Sequence, residues 1–68
     1  MTIELNGERV EVDAGARVGD AVARSGADPQ RRGVAVAIDG EVVPRSEWDR
    51  TELRDGQRVE VVGAIQGG

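Results

Sequence analysis

The chain has 68 residues, enough for one small domain whose hydrophobic core supplies little more than about 3–5 kcal/mol without a staple. It contains no Cys and no His, which excludes a disulfide, a thiolate metal site, and the commonest general base and metal ligand. Its net charge is −4 and all nine cations are Arg, a balance that argues against nucleic acid or an anionic membrane as main partner and fits a basic protein surface or a solvated exterior. The lack of Lys also rules out self-linkage through an isopeptide bond to a lysine side chain. No apolar run approaches the roughly 20 residues of a membrane span. No signal-peptide pattern opens the chain, so the expected location is cytoplasmic.

Thr2-Ile3-Glu4-Leu5 alternates polar and apolar residues, as a half-buried strand does. Asn6-Gly7 follows, a hairpin signal because both residue types tolerate positive φ, and Glu8 to Val12 alternates again as the returning strand. Asp13 to Ala16 is a turn. From about Arg17 to Ser25, apolar and small residues at Val18, Ala21, Val22 and Ser25 mark one face of a helix, and Gly26 is placed to end it. The segment from Ala27 to Gly33 is a polar loop. Val34 to Ile38 is an apolar run between turn signals, which predicts a central strand. Asp39-Gly40 is a second hairpin turn, Glu41-Val42-Val43 pairs back, and Pro44 ends that strand or confines it to an edge. Ser46 to Arg54 is read as irregular, anchored by Trp48 and Leu53; Asp55-Gly56 is a third turn; Arg58 to Val62 is the last strand.

This order, ββαββ with a final strand that runs into the C-terminal residues, predicts an α+β domain in which a mixed sheet of four or five strands packs on one helix. The expected inward residues are Ile3, Leu5, Val10, Val12, Val18, Val22, Val36, Ile38, Leu53, Val59 and Val61. The division expected is a folded domain over 1–62 and a flexible tail over 63–68.

The tail ends in Gly67-Gly68. Without Cβ atoms, the pair is thin enough to thread a narrow channel and leaves the last carbonyl carbon open to attack. The free carboxylate, with a reference pKa of roughly 3.5, is ionised at neutral pH and is a poor electrophile until activated, usually by adenylation with ATP. The alternative is an ordinary frayed terminus. Six extended residues span roughly 20 Å, enough to place Gly68 in a buried site while the body docks outside. Within the tail, Gly63 is either a hinge or a simple turn glycine, and Ile65 is expected to anchor in a partner's channel.

Several motifs have plainer readings. Trp48, the only aromatic, is expected to close one end of the core rather than to form a binding platform. Arg45 suits a surface ion pair worth under about 1 kcal/mol. Asp39 and Asp55 each precede a glycine and read as turn residues, not as a metal site. Ala35 and Ala37 either leave a flat exposed sheet face or sit opposite bulky neighbours.

The stretch from Val36 to Gly56, VAIDGEVVPRSEWDRTELRDG, followed by a strand and a Gly-Gly terminus, resembles the ThiS family, the sulfur carrier proteins of thiamine biosynthesis. The most specific pieces are Ala37-Ile38-Asp39, Val43-Pro44-Arg45 with Trp48 after it, Leu53-Arg54-Asp55-Gly56, and the terminal Gly67-Gly68. The resemblance covers the whole chain and implies the β-grasp, ubiquitin-like fold. It implies a protein that is not an enzyme and holds no bound cofactor, with Gly68 as the site of adenylation and thiocarboxylate formation. The tail residues Gly67, Gln66, Ile65 and Gly63 then serve the partner's channel. Gln66 departs from the small residues common beside the diglycine in this family. The implied partners are a ThiF-like adenylyltransferase that uses ATP, a cysteine desulfurase or other sulfur donor, and the ThiG-like thiazole synthase that takes the sulfur. The free chain is expected to be a monomer. The alternatives are a MoaD-like carrier for molybdopterin, a carrier for another sulfur-transfer pathway, and a β-grasp module that binds partners without covalent chemistry.

Overall fold

The computed structural model describes residues 1–28 and 33–63. Its elements are β1 (Thr2–Leu5), β2 (Glu8–Glu11), α1 (Val18–Arg24), β3 (Ala35–Ile38), β4 (Glu41–Val43), a short 3-10 helix (Arg45–Glu47) and β5 (Arg58–Val62). The five strands form one sheet in the order β2-β1-β5-β3-β4. β5 runs parallel to β1 and antiparallel to β3, and the outer pairs are antiparallel hairpins. The last strand is therefore the middle of the sheet.

Both hairpins turn on the residues their sequences predict. Asn6 and Gly7 have φ of 50° and 86°, and Asp39 and Gly40 have 50° and 88°. Two successive positive values match the twist of the flanking strands. A Cβ built on Gly40 meets nothing within 4 Å, so Gly40→Ala carries only the left-handed backbone penalty of about 1–2 kcal/mol. A lowered urea midpoint with an unchanged slope is the expected result.

One face of the sheet is the core. Ile3, Leu5, Val36, Ile38, Val59 and Val61 are buried on it and meet Val18, Ala21 and Val22 of α1. Leu53, Ala16 and Trp48 complete the buried set. Val10 and Val12, also expected to face inward, pack against this core but are only partly buried. β2 is an edge strand that ends at Glu11, so the hairpin's outer arm has core on one side only.

The helix starts without a Ser, Thr or Asn cap. Instead the loop after the 3-10 helix supplies acceptors for its first N–H groups: Val18 donates to the Thr51 carbonyl at 3.0 Å and Gly19 to that of Trp48 at 3.2 Å. Asp20 reaches back to accept from the Arg17 N–H at 2.8 Å, the returning half of a capping box. Gly26, at φ 93°, follows the last turn as expected.

Trp48 is 4% exposed. Its Nε1–H donates to the Val43 carbonyl at 3.0 Å, which satisfies the one polar group that its burial would otherwise strand. Arg45 lays its guanidinium 4.5 Å from the indole centroid, a cation–π contact that the sequence did not announce. The segment read as irregular is thus organised by a 3-10 turn and an isolated bridge between Arg17 and Glu52.

Candidate functional site

The candidate site begins where β5 ends. Val62 is the last strand residue and Gly63 follows it, half-buried. The expected site residues Ile65, Gln66, Gly67 and Gly68 lie outside the described residues. What the structure describes is the platform from which they depart.

β5 is held from both sides. On the β3 side the ladder runs from Ile38 opposite Val59 to Ala35 opposite Val62. On the β1 side the register pairs Glu4 with Arg58 and Leu5 with Val59, with Glu4 N–H donating to the Gln57 carbonyl and Asn6 N–H to the Val59 carbonyl, each at 2.9 Å. Both turn residues also touch β5 through their side chains. Arg58 N–H donates to Asp39 Oδ1 at 3.1 Å, and Val61 N–H donates to Asn6 Oδ1 at 2.8 Å. Asp55 Oδ1 accepts from the Thr2 N–H at 2.8 Å. Asp39 and Asp55 are therefore spent on backbone, as their turn positions implied. No group of His, Cys, Asp and Glu among the described residues is placed to hold a metal ion.

The outer face of the sheet differs from the core face. Cross-strand pairing puts Val42, Ala37 and Glu60 in one row and Ala35 and Val62 in the next. Val42 is 75% and Val62 65% exposed. Ala35 and Ala37 thus belong to an exposed, small-residue face, the first of the two readings open to them. Val62 puts an apolar side chain on this face one residue before Gly63.

Glu11 is held below the usual carboxylate range by the hydrogen bond from Thr2 Oγ1 and then by the N-terminal ammonium. It sits exposed on an edge strand and serves the β1–β2 pairing. Being a depressed carboxyl, it contributes above the unfolded pKa and loses that contribution as pH falls through the lowered folded value.

The platform is one that a small mixed sheet on a single helix provides, and similarity to known proteins decides which such sheet it is. The ThiS family profile matches residues 2–68. The chain belongs to the ThiS family. A crystal structure of the thiamine biosynthesis protein ThiS from Geobacter metallireducens is similar at a TM-score of 0.76 and 30% identity, over 100% of both chains. A solution structure of a thiamine biosynthesis protein from the same organism is similar at 0.77 and 30%, covering 100% of this chain and 88% of that one. No curated protein sequence matches. The fold is the ThiS β-grasp, and no helix among the described residues is long and apolar enough to cross a membrane. Within this ThiS-family chain, the Asn6 side-chain contact with β5 is what the sequence reading missed. Its signal was present, in that an Asn rather than a Gly opens the first turn.

Proposed function

We propose that this chain is a sulfur carrier of thiamine biosynthesis whose working group is the Gly68 carboxylate. The observation that carries the reading is the ThiS family match, which runs to residue 68 and so includes the terminal diglycine. The end of the central strand at Val62, six residues before Gly68, is consistent with this reading.

The chemistry belongs to partners. A carboxylate oxygen of Gly68 attacks the α-phosphorus of ATP in a ThiF-like adenylyltransferase, and pyrophosphate leaves. The resulting mixed anhydride has a reactive carbonyl, and a persulfide sulfur from a cysteine desulfurase displaces AMP. Cleavage of the acyl disulfide by a thiol leaves the thiocarboxylate, which donates its sulfur to thiazole synthase. ATP is thus a co-substrate of the partner and not a cofactor of this chain. The exposed apolar face carrying Val42 and Val62 lies beside the tail's origin and suits the docking of an enzyme that must hold the body while it takes the tail.

The test is mass spectrometry of the intact chain and of its C-terminal fragment after incubation with the adenylating enzyme, ATP, a desulfurase and cysteine. Sulfur on the fragment carrying Gly68 is the expected result. The fragment decides, because oxidation of Met1 nearly mimics an oxygen-to-sulfur exchange in whole-chain mass. An absence of both adenylate and sulfur overturns the reading. As a second expectation, Ile65→Asp raises the KM for adenylation by about tenfold with little change in kcat, the signature of lost uniform binding. Steady-state pyrophosphate release reads it.

A further inference from the structure

We propose that Asn6 is a positioning residue for the tail. Its side-chain carbonyl adds a last rung to the sheet on the β1 side of β5 and so fixes where the chain leaves the sheet at Gly63. The functional part of this inference rests on the carrier reading above.

The argument starts from the parallel ladder. With Glu4 N–H on the Gln57 carbonyl and Asn6 N–H on the Val59 carbonyl, the next donor on β5 is Val61 N–H, and the acceptor due is the main-chain carbonyl of residue 6. Asn6, however, is the first turn residue, at φ 50°, and that conformation turns its carbonyl out of the ladder. Val61 N–H donates instead to Asn6 Oδ1 at 2.8 Å. The side-chain amide stands in for the main chain and extends the pairing by one residue past the point where β1 has left the sheet. Val61 is thereby held two residues before Gly63.

The other hairpin uses the same substitution. Asp39 N–H donates to the Arg58 carbonyl at 2.8 Å, and the returning bond, from Arg58 N–H, goes to Asp39 Oδ1 at 3.1 Å. The two turns therefore grip β5 at opposite ends: Asp39 holds its first residue and Asn6 its last turn toward the tail. Only the Asn6 grip bears on the tail. Without it, the end of β5 is paired on the β3 side alone, where the ladder reaches Val62. A tail origin held on one side samples more directions, and a channel that must receive it meets the competent one less often.

An Asn that merely suits a tight turn makes the opposite forecast, and substitutions separate the two. Asn6→Gly keeps the positive φ and removes the acceptor. Asn6→Asp keeps both. Asp39→Gly removes the matching bond at the far end of β5. Amide hydrogen exchange followed by NMR is expected to show Val61 accelerated about tenfold in Asn6→Gly, with Val36 unchanged. Adenylation by the activating enzyme is expected to show KM raised about tenfold in Asn6→Gly with kcat within about twofold, and near-wild-type values in Asn6→Asp and Asp39→Gly. The proposal is overturned by an unchanged Val61 exchange rate, by an unchanged KM in Asn6→Gly, or by an equal rise in Asp39→Gly, which would mark general loosening of β5. A wild-type chain that takes neither adenylate nor sulfur sinks the carrier reading and with it the role given to Asn6. A competent wild type with no KM change in Asn6→Gly sinks the positioning role alone.

Discussion

Replacing Trp48 with Ala is expected to leave the chain largely unfolded in dilute buffer. The indole is the only aromatic in the chain, is 4% exposed, and binds the Val43 carbonyl through Nε1. Trp→Ala substitutions at buried sites cost about 3–5 kcal/mol, which is the whole of what a core in a domain this small supplies. Two further effects point the same way. Arg45 loses the face over which it lies, and the loop that caps the helix runs through Trp48, whose carbonyl accepts from Gly19 N–H. Far-UV circular dichroism and amide shift dispersion read the result. Trp48→Phe keeps an aromatic ring but strands the Val43 carbonyl, and is expected to stay folded at a cost of about 1 kcal/mol for the lost bond plus the smaller volume. A folded Trp48→Ala with a urea midpoint near that of the wild type would show that Trp48 does not close the core.

Deleting Gly68 is expected to abolish sulfur acceptance while leaving the fold intact. The shortened chain still ends in a glycine carboxylate, at Gly67, so the intrinsic chemistry is unchanged and only the reach differs. One residue of extended chain is roughly 3.5 Å, whereas a misplacement of about 1 Å at a reacting centre can cost a hundredfold. Thiocarboxylate formation is therefore expected to fall at least about a hundredfold, with no change in urea midpoint, since β5 ends at Val62. Normal sulfur loading of the deleted chain would mean that the partner does not read tail length and that Gly68 is not the attachment site. A non-covalent module would keep its partner and its activity after the deletion.

The strands were legible because their signals are local. Alternation in Thr2–Leu5 and Arg58–Val62 and the dipeptides Asn6-Gly7 and Asp39-Gly40 marked strands and hairpins at nearly their observed bounds. What escaped was what depends on neighbours distant in sequence. Val10 alternates as a core residue does, but its strand lies at the sheet edge. The start of α1 carries no Ser, Thr or Asn at its N-cap, because acceptors for its first N–H groups come from Trp48 and Thr51. Arg45 and Trp48, three residues apart, announce a contact only once Pro44 is known to lead into a 3-10 turn. Family membership was legible because its motifs, from Val36 to Gly56 and at Gly67-Gly68, are local in the sequence. The Asn6 grip was not, since it exists only because β5 inserts beside β1.

That insertion also governs how the sheet can close. The β1–β2 and β3–β4 hairpins share no edge except through β5, which lies between them. The segment that joins them follows both hairpins in the sequence, and its pairing of Glu4 with Arg58 and Leu5 with Val59 spans more than fifty residues, which makes closure a step of high contact order. A chain that lacks β5 cannot close its sheet. Until β5 is in place neither hairpin has its inner neighbour, so the closing strand is also the one on which the whole sheet depends.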